Sequence, residues 1–244
     1  MRNLLALGLI AQTVHVAFWS PKLAVRRVEV RGAQRLAADK VRQLADVRPG
    51  GNIFRVSLGR VRQGLLQEPQ IRAVSVTRRL PEAIVIRVQE RQPCLALVHG
   101  GVVWEADEAG FVYRQAPSPP SAVPVVEVEG AFEPAVGQVI PPPWPAAAAE
   151  CVRLARWHHL QVSKMAIDAQ GELWLHIITP AANEQPERSL PVRLGRPDDL
   201  PAKFADIRLW LPQVATDGEY LNVMCAGRAA YMRLGRSETP PPSP

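Results

Sequence analysis

Two strand-like runs, IRAVSVTRR at residues 71–79 and AIVIRVQE at residues 83–90, are joined by a turn of the type Arg-Leu-Pro-Glu. Alternation at period two puts Ile84, Ile86 and Val88 on one face of a strand and Val85, Arg87 and Gln89 on the other. Pro81 has no N–H to give to a ladder, so it belongs in the turn, and Pro93 ends the second run in the same way. The pair therefore reads as an antiparallel hairpin, around which arginines stand at 72, 78, 79, 87 and 91. A binding surface, a catalytic arm, or a strand whose charges keep it soluble would all fit so many arginines.

The residues before the hairpin supply its context. In VRRVEVRG, Val28 and Val30 alternate with Arg27, Glu29 and Arg31 before Gly32, the pattern of a strand. LAADKVRQLA places Ala37, Val41 and Leu44 at helical spacing, and VRPGGN is turn chemistry. In SLGRVRQGLL, Ser57 can cap a helix whose Leu58, Val61 and Leu65 share one face. Gly64 costs that helix about 1 kcal/mol relative to alanine, so it leans on tertiary packing. The order is strand, helix, helix, strand, strand.

Charge divides the chain. Of the net +6, residues 22–93 contribute sixteen Lys and Arg against six Asp and Glu, whereas residues 94–244 carry twelve against seventeen. Two domains facing different surroundings follow from such a split. The arginines of the basic half are spread over every element, not lined along one helix with aromatics between them, which argues against nucleic acid as the partner. Cys94, Cys151 and Cys225 form no CxxC pair or metal spacing; they read as buried thiols, with one disulfide in an oxidising compartment left open.

Leu4 to Trp19 is uncharged. As a helix it would be about 24 Å long, against the ~30 Å of a bilayer's hydrocarbon core. Trp19 sits where an interfacial aromatic would anchor the outer end. No pair of small residues at signal-peptidase spacing precedes Pro21, which argues against cleavage. Residues 1–21 are thus expected to be a single uncleaved transmembrane anchor, with the remainder exported.

The second half is expected to be rich in strands. LALV and VVWEA flank Gly100 and Gly101, DEAG turns into FVYR, and PSPPSAVP is a proline-rich surface connection leading to PVVEVEG. PPPWP stops regular structure before a helix from Ala146 to Trp157. LQVSKMAIDAQGELWLHIIT is a hairpin about Gly171 with Leu173, Leu175 and Ile177 on one face, and LPVRLG is a further strand. Leu200, Phe204, Ile207 and Leu211 form one helical stripe, with acids in the first turn favouring the dipole. EYLNVMCAGRAAYMRL is two strands, or one bent about Gly227, and the tail at 237–244 is exposed and expected to be disordered.

Catalytic chemistry is not announced. There is no GxSxG, P-loop, HExxH or GxGxxG. His158 and His159 are adjacent, so on a helix they point about 100° apart and suit a solvated helix end better than a metal. Cys94 lacks a histidine tied to it by motif and reads as a packed thiol. Glu105, Asp107 and Glu108 lie at a hairpin turn, where acids serve local hydrogen bonds. No enzyme, cofactor, metal or small-molecule substrate is expected.

Taken together, VEVRGAQRL, GGNIF, EPQIRAVSVTRRLPEAIVIRVQERQP and VWEADEAGFVY resemble the FtsQ/DivIB family of bacterial cell-division proteins. The densest match is Pro69, Ile71, Arg79, Leu80, Pro81, Ile84, Ile86, Val88, Glu90, Arg91 and Pro93. The resemblance implies an α+β protein: the anchor, a POTRA domain of order β-α-α-β-β over 22–93, and a strand-rich α+β domain with an antiparallel sheet over 94–236. It implies a non-enzymatic scaffold in the cell inner membrane at the division septum. There the last strand would dock FtsB/FtsL-like coiled-coil membrane proteins of the divisome. Carried over by position, that surface comprises Tyr220, Leu221, Asn222, Val223, Met224, Cys225, Arg228, Ala230 and Tyr231. Asn222-Val223-Met224 departs from the Asp-Leu-Arg-like run of the family, which shifts the expected contacts toward hydrophobic pairing. A POTRA-bearing component of an outer-membrane assembly or secretion machine is the alternative; it would carry repeated POTRA units or barrel strands, and neither is present. A cell-wall enzyme is the more remote one.

Overall fold

The hairpin is formed as its alternation requires. In the computed structural model, which describes residues 21–120, 123–179 and 188–233, β2 (Ile71–Arg79) and β3 (Ala83–Glu90) pair antiparallel from Ile71↔Glu90 to Arg79↔Ala83. Of the anchor expected over residues 1–21, residues 1–20 lie outside the described residues, as does the tail at 237–244. Among the described residues, no helix is long and apolar enough to cross a membrane. The chain divides between Arg91 and Gln92 into two compact units.

The first unit starts with a 3-10 turn, Pro21–Leu23, followed by β1 (Arg27–Arg31), α1 (Ala38–Ala45) and α2 (Leu58–Leu66). Its sheet has the order β1-β3-β2, with β1 parallel to β3 in the register Val28↔Ile84 and Val30↔Ile86. The Ser57 side chain accepts a hydrogen bond from the Arg60 amide, as a cap should. Val41, Ala45, Val61 and Leu65 from the helices close over Ile84, Ile86 and Val88, joined by Val25, Leu36 and Ile53. The expected face of α1 needs one correction: Val41 and Ala45, four apart, are buried, while Leu44 is 36% exposed. At Gly64 the two helices pack closely: a Cβ there would stand in van der Waals contact, 3.4 Å from the Leu44 carbonyl of α1. Every member of this core lies between residues 25 and 88, so the unit closes its own interior.

The second unit contains β4 (Leu95–His99), β5 (Val102–Ala106), β6 (Val112–Ala116), β7 (Val125–Val128), α3 (Trp144–Trp157), β8 (Gln161–Ile167) and β9 (Leu173–Thr179). β10 (Arg188–Gly195), α4 (Leu200–Asp217), β11 (Gly218–Asn222) and β12 (Ala230–Arg233) complete it. Among the described residues these nine strands form one sheet of order β12-β11-β10-β9-β8-β7-β4-β5-β6. The sheet is mixed, not antiparallel as expected: β4 and β7, β7 and β8, and β10 and β11 are parallel. The helices explain two of these pairs, because α3 carries the chain from β7 to β8 and α4 from β10 to β11, and a helical crossover returns the chain in the same direction.

Both helices supply the core on one face of the sheet. Cys151 and Leu154 of α3 and Phe204, Ile207 and Val214 of α4 join Leu173, Leu175, Ile177, Leu190, Val192 and Leu194 in one cluster. Helix α3 begins at Trp144 instead of Ala146, since Pro145 sits in the first turn, where its missing N–H is one the helix does not use. Helix α4 runs past Pro212 to Asp217 and has no acid in its first turn. Asp198, expected to favour the helix dipole, binds Lys203 Nζ at 2.5 Å instead. Lys203 is 1% exposed, and its ammonium also donates to the Leu194 and Arg196 carbonyls at 3.0 and 2.8 Å.

Candidate protein-docking edge

Strand β12 ends the nine-stranded sheet. Its inner side pairs with β11 through Asn222↔Ala230, Leu221↔Tyr231 and Tyr220↔Met232. Its outer side has no neighbouring strand among the described residues. Such an edge offers a row of backbone groups to any extended segment that reaches it. Alternation then sorts the side chains. Tyr231 faces α4, its ring 6.2 Å from that of Trp210, while Ala230 and the 42%-exposed Met232 face away from the helices.

The edge is held in place from behind. Arg188 on β10 donates to the Val214 carbonyl at 2.9 Å and the Gly218 carbonyl at 2.5 Å, fixing where α4 ends and β11 begins. The connection between β11 and β12 is pinned at several points. The Val223 amide donates to the Arg193 carbonyl, the Met224 amide to Asn222 Oδ1, and the Gly227 amide to Asp206 Oδ2 at 2.7 Å. Further into the sheet, Arg193 of β10 bonds Glu172 at 2.6 Å and stands 5.6 Å over the Trp174 ring of β9.

The nine residues expected at the docking surface separate into groups. Leu221 and Val223 are core residues with no exposed surface. Tyr220, Asn222 and Met224 are half-buried, with β11 enclosed between β10 and β12. Cys225 and Arg228 are exposed on the connecting loop, Ala230 is exposed on β12, and Tyr231 is half-buried against Trp210. The segment is two strands, not one bent strand, so only β12 presents an edge. Met232, which continues the alternation of Ala230, and the supporting Trp210, Asp206 and Arg188 escape a reading of the terminal segment alone. The supporting roles of Trp210, Asp206 and Arg188 come from contacts across 20 residues or more.

The residues weighed for chemistry do not converge. Glu105 is 1% exposed and is held by Tyr113 Oη at 2.5 Å and Arg114 at 2.6 and 3.0 Å. Asp107 accepts from the Ala109 and Phe111 amides, the local turn bonding expected of it. His158 is half-buried and stacked on Phe204 at 6.2 Å, where the expectation was a solvated end; burial and then Arg208 push its pKa down. All three cysteines are thiols. Burial pushes Cys151 up to about 12, while Cys94 is exposed, not packed as expected, because it precedes β4 instead of lying within it.

Comparison with known proteins adds a decisive observation. Residues 23–91, the whole of the first unit's sheet and helices, match the family described as POTRA domain, FtsQ-type. Similar proteins include the cell division protein FtsQ of Syntrophotalea carbinolica, 34% identical over 98 residues, 40% of this chain and 34% of that protein. FtsQ of Corynebacterium glutamicum is 32% identical over 120 residues, 48% of this chain and 52% of the relative. FtsQ of Rhodothermus marinus is 28% identical over 183 residues, 74% of this chain and 65% of the relative.

Residues 23–91 form a POTRA domain of the FtsQ type.

These matches span between 34% and 65% of the relatives' own length. For the FtsQ/DivIB reading of the hairpin, the structure gives six of the motif residues a physical task. Pro81 lies in the turn, Ile84, Ile86 and Val88 fill the core, Glu90 binds the β1–α1 connection, and Arg91 Nε donates to the Pro69 carbonyl at 3.0 Å.

Proposed function

We propose that this chain is a non-enzymatic scaffold of bacterial cell division. The uncharged run Leu4–Trp19 holds it in the inner membrane by a single pass, and the distal unit captures coiled-coil membrane partners of the FtsB/FtsL type at the septum. The observation that carries the reading is β12. It is a sheet edge with no neighbouring strand on its outer side among the described residues, an exposed Met232, and support from α4 and the pinned loop behind it. Strand addition there needs no catalytic group: main-chain bonds supply affinity, and the alternating Ala230 and Met232 supply selectivity. The names of the relatives, cell division proteins FtsQ and DivIB, support the cellular setting.

The test is co-purification of the full chain with a short coiled-coil membrane protein of the division machinery, before and after deletion of residues 230–233. Loss of the partner with the first unit still folded is the expected result; undiminished capture would refute the edge. Depletion of the chain should give filamentous cells, and normal division under depletion would remove the setting altogether.

A further inference from the structure

The sheet of the first unit has a second face that its helices do not cover. Ile84, Ile86 and Val88 lie in the core, with Val28 and Val30 packed against it, so Glu29, Arg31, Val85 and Arg87 project to the opposite side. The aligned positions are Arg27↔Ala83, Glu29↔Val85 and Arg31↔Arg87 across β1 and β3, and Arg79↔Ala83, Thr77↔Val85 and Ser75↔Arg87 across β2 and β3. Val85, which turns away from the core, is 4% exposed.

This face holds four arginines, Arg27, Arg31, Arg79 and Arg87, against the single acid Glu29, a net of +3. Glu29 pairs with Arg31 at 2.9 Å and Arg79 at 3.3 Å, and these neighbours, Arg31 first, hold its carboxyl below the usual range. At one end Glu82 pairs with Arg26 and Arg27. Arg87 has no acidic partner among the described residues. Folding does not account for the pattern. Charged residues on β1 and β2 protect sheet edges, but Arg87 is on the central strand. It also faces Arg31 in register, an arrangement of like charges that disfavours the sheet.

Guanidinium groups match phosphate in shape and charge. The length of chain before the face selects the source of phosphate. Arg26 follows Trp19, the end of the uncharged run, by seven residues, at most about 25 Å when fully extended. We propose that the open face of the β1-β3-β2 sheet binds the headgroup phosphates of an anionic bilayer, laying the first unit on the membrane that anchors the chain. The proposal rests on the anchor reading above, since the tether raises the local lipid concentration.

Residues 22–93 carry the face and their own closed core without the anchor, and their fold is checked by circular dichroism. They should sediment with vesicles of phosphatidylcholine mixed with phosphatidylglycerol, not with phosphatidylcholine alone, and 0.5 M salt should release them. Arg87→Gln should weaken binding about fivefold and Arg79→Ala with Arg87→Gln about 25-fold, as each arginine near an anionic surface contributes on that scale. Arg60→Ala on α2 should leave binding within twofold. Equal sedimentation with neutral vesicles, equal losses from Arg60→Ala and Arg87→Gln, or stripping by millimolar glycerol phosphate would each overturn the bilayer assignment. So would binding to polyglutamate with none to anionic vesicles, which would make the ligand an acidic protein. Alkaline carbonate extraction of the full chain tests the anchor separately. A chain that resists extraction while its fragment ignores anionic vesicles keeps the anchor and loses this inference.

Discussion

The carboxylate of Glu90, at the end of the central strand β3, accepts a hydrogen bond from the Leu36 backbone amide at 2.9 Å. The same carboxylate takes the Gln34 amide at 2.8 Å and the Arg35 amide at 2.9 Å. One side chain thereby satisfies three donors of the connection between β1 and α1, 54 to 56 residues away in sequence. The Glu-Arg-x-Pro end of the hairpin is a structural clasp, not a catalytic or binding arm.

Glu90→Ala should therefore destabilise the first unit by about 2–4 kcal/mol, because it leaves three partly or fully buried amides without an acceptor. Glu90→Gln, which keeps one acceptor oxygen, should be milder. Urea unfolding of residues 22–93 measures both. The pH dependence has a definite sign. Burial raises the Glu90 pKa, but the Leu36, Arg35 and Gln34 amides together outweigh it, so the net shift is downward. A depressed folded-state value means stabilisation that is complete above the unfolded pKa near 4.5 and is lost as pH falls through the folded value. Between pH 6 and pH 3 the wild-type unit should lose more stability than Glu90→Gln does; parallel curves would refute the clasp.

Gly32 follows β1 with φ +82°, and a Cβ on it would lie 2.2 Å from the Val88 carbonyl oxygen. Backbone, not a movable side chain, occupies that space. Gly32→Ala combines about 1 kcal/mol or more of left-handed strain with a displacement of β1 from β3, so a loss of at least about 3 kcal/mol is expected. Calorimetry of residues 22–93 decides it, and a midpoint within 2–3 °C of wild type would mean that β1 shifts freely.

Much of this architecture is legible from local pattern. The alternation of Ile84, Ile86 and Val88, the Ser57 cap and the stripe Leu200, Phe204 and Ile207 each depend on spacing within one element, and each is realised. What is not legible depends on partners remote in sequence. The parallel pairs β7–β8 and β10–β11 follow from helices crossing the sheet, which alternation in a single strand cannot reveal. The terminal segment reads as two strands or one bent about Gly227, with all nine residues on one docking surface; only the pairing of β11 with β12 buries Leu221 and leaves β12 as the edge. Spacing within α4 likewise says nothing of Lys203, whose burial depends on the Leu194 and Arg196 carbonyls that precede the helix.

That lysine makes an ion pair with unequal ends. Lys203 is almost fully buried, whereas the Asp198 side chain is 72% exposed. Asp198→Asn should change stability by less than about 0.5 kcal/mol, since water replaces what an exposed carboxylate loses. Lys203→Ala should cost about 3 kcal/mol or more, because it removes the buried stem and leaves the Leu194 carbonyl unsatisfied. Thermal unfolding of the two variants side by side provides the check, and similar losses would contradict this asymmetry.

The docking edge separates residues that support β12 from residues that would touch a partner. Leu221 and Val223 are sealed in the core, so Leu221→Ala should lower stability by about 2–5 kcal/mol and impair partner capture only through unfolding. Met232 faces away from the helices and is 42% exposed; Met232→Lys should leave the melting temperature within about 2 °C while reducing capture at least tenfold. Trp210→Ala should fall between them, because Tyr231 loses the ring that orients it while the strand pairing survives. Melting temperature and co-purification yield, measured for each variant of the full chain, place the three on one plot. If Met232→Lys keeps full capture while Leu221→Ala retains its fold and loses capture, the partner is held elsewhere than on the outer side of β12.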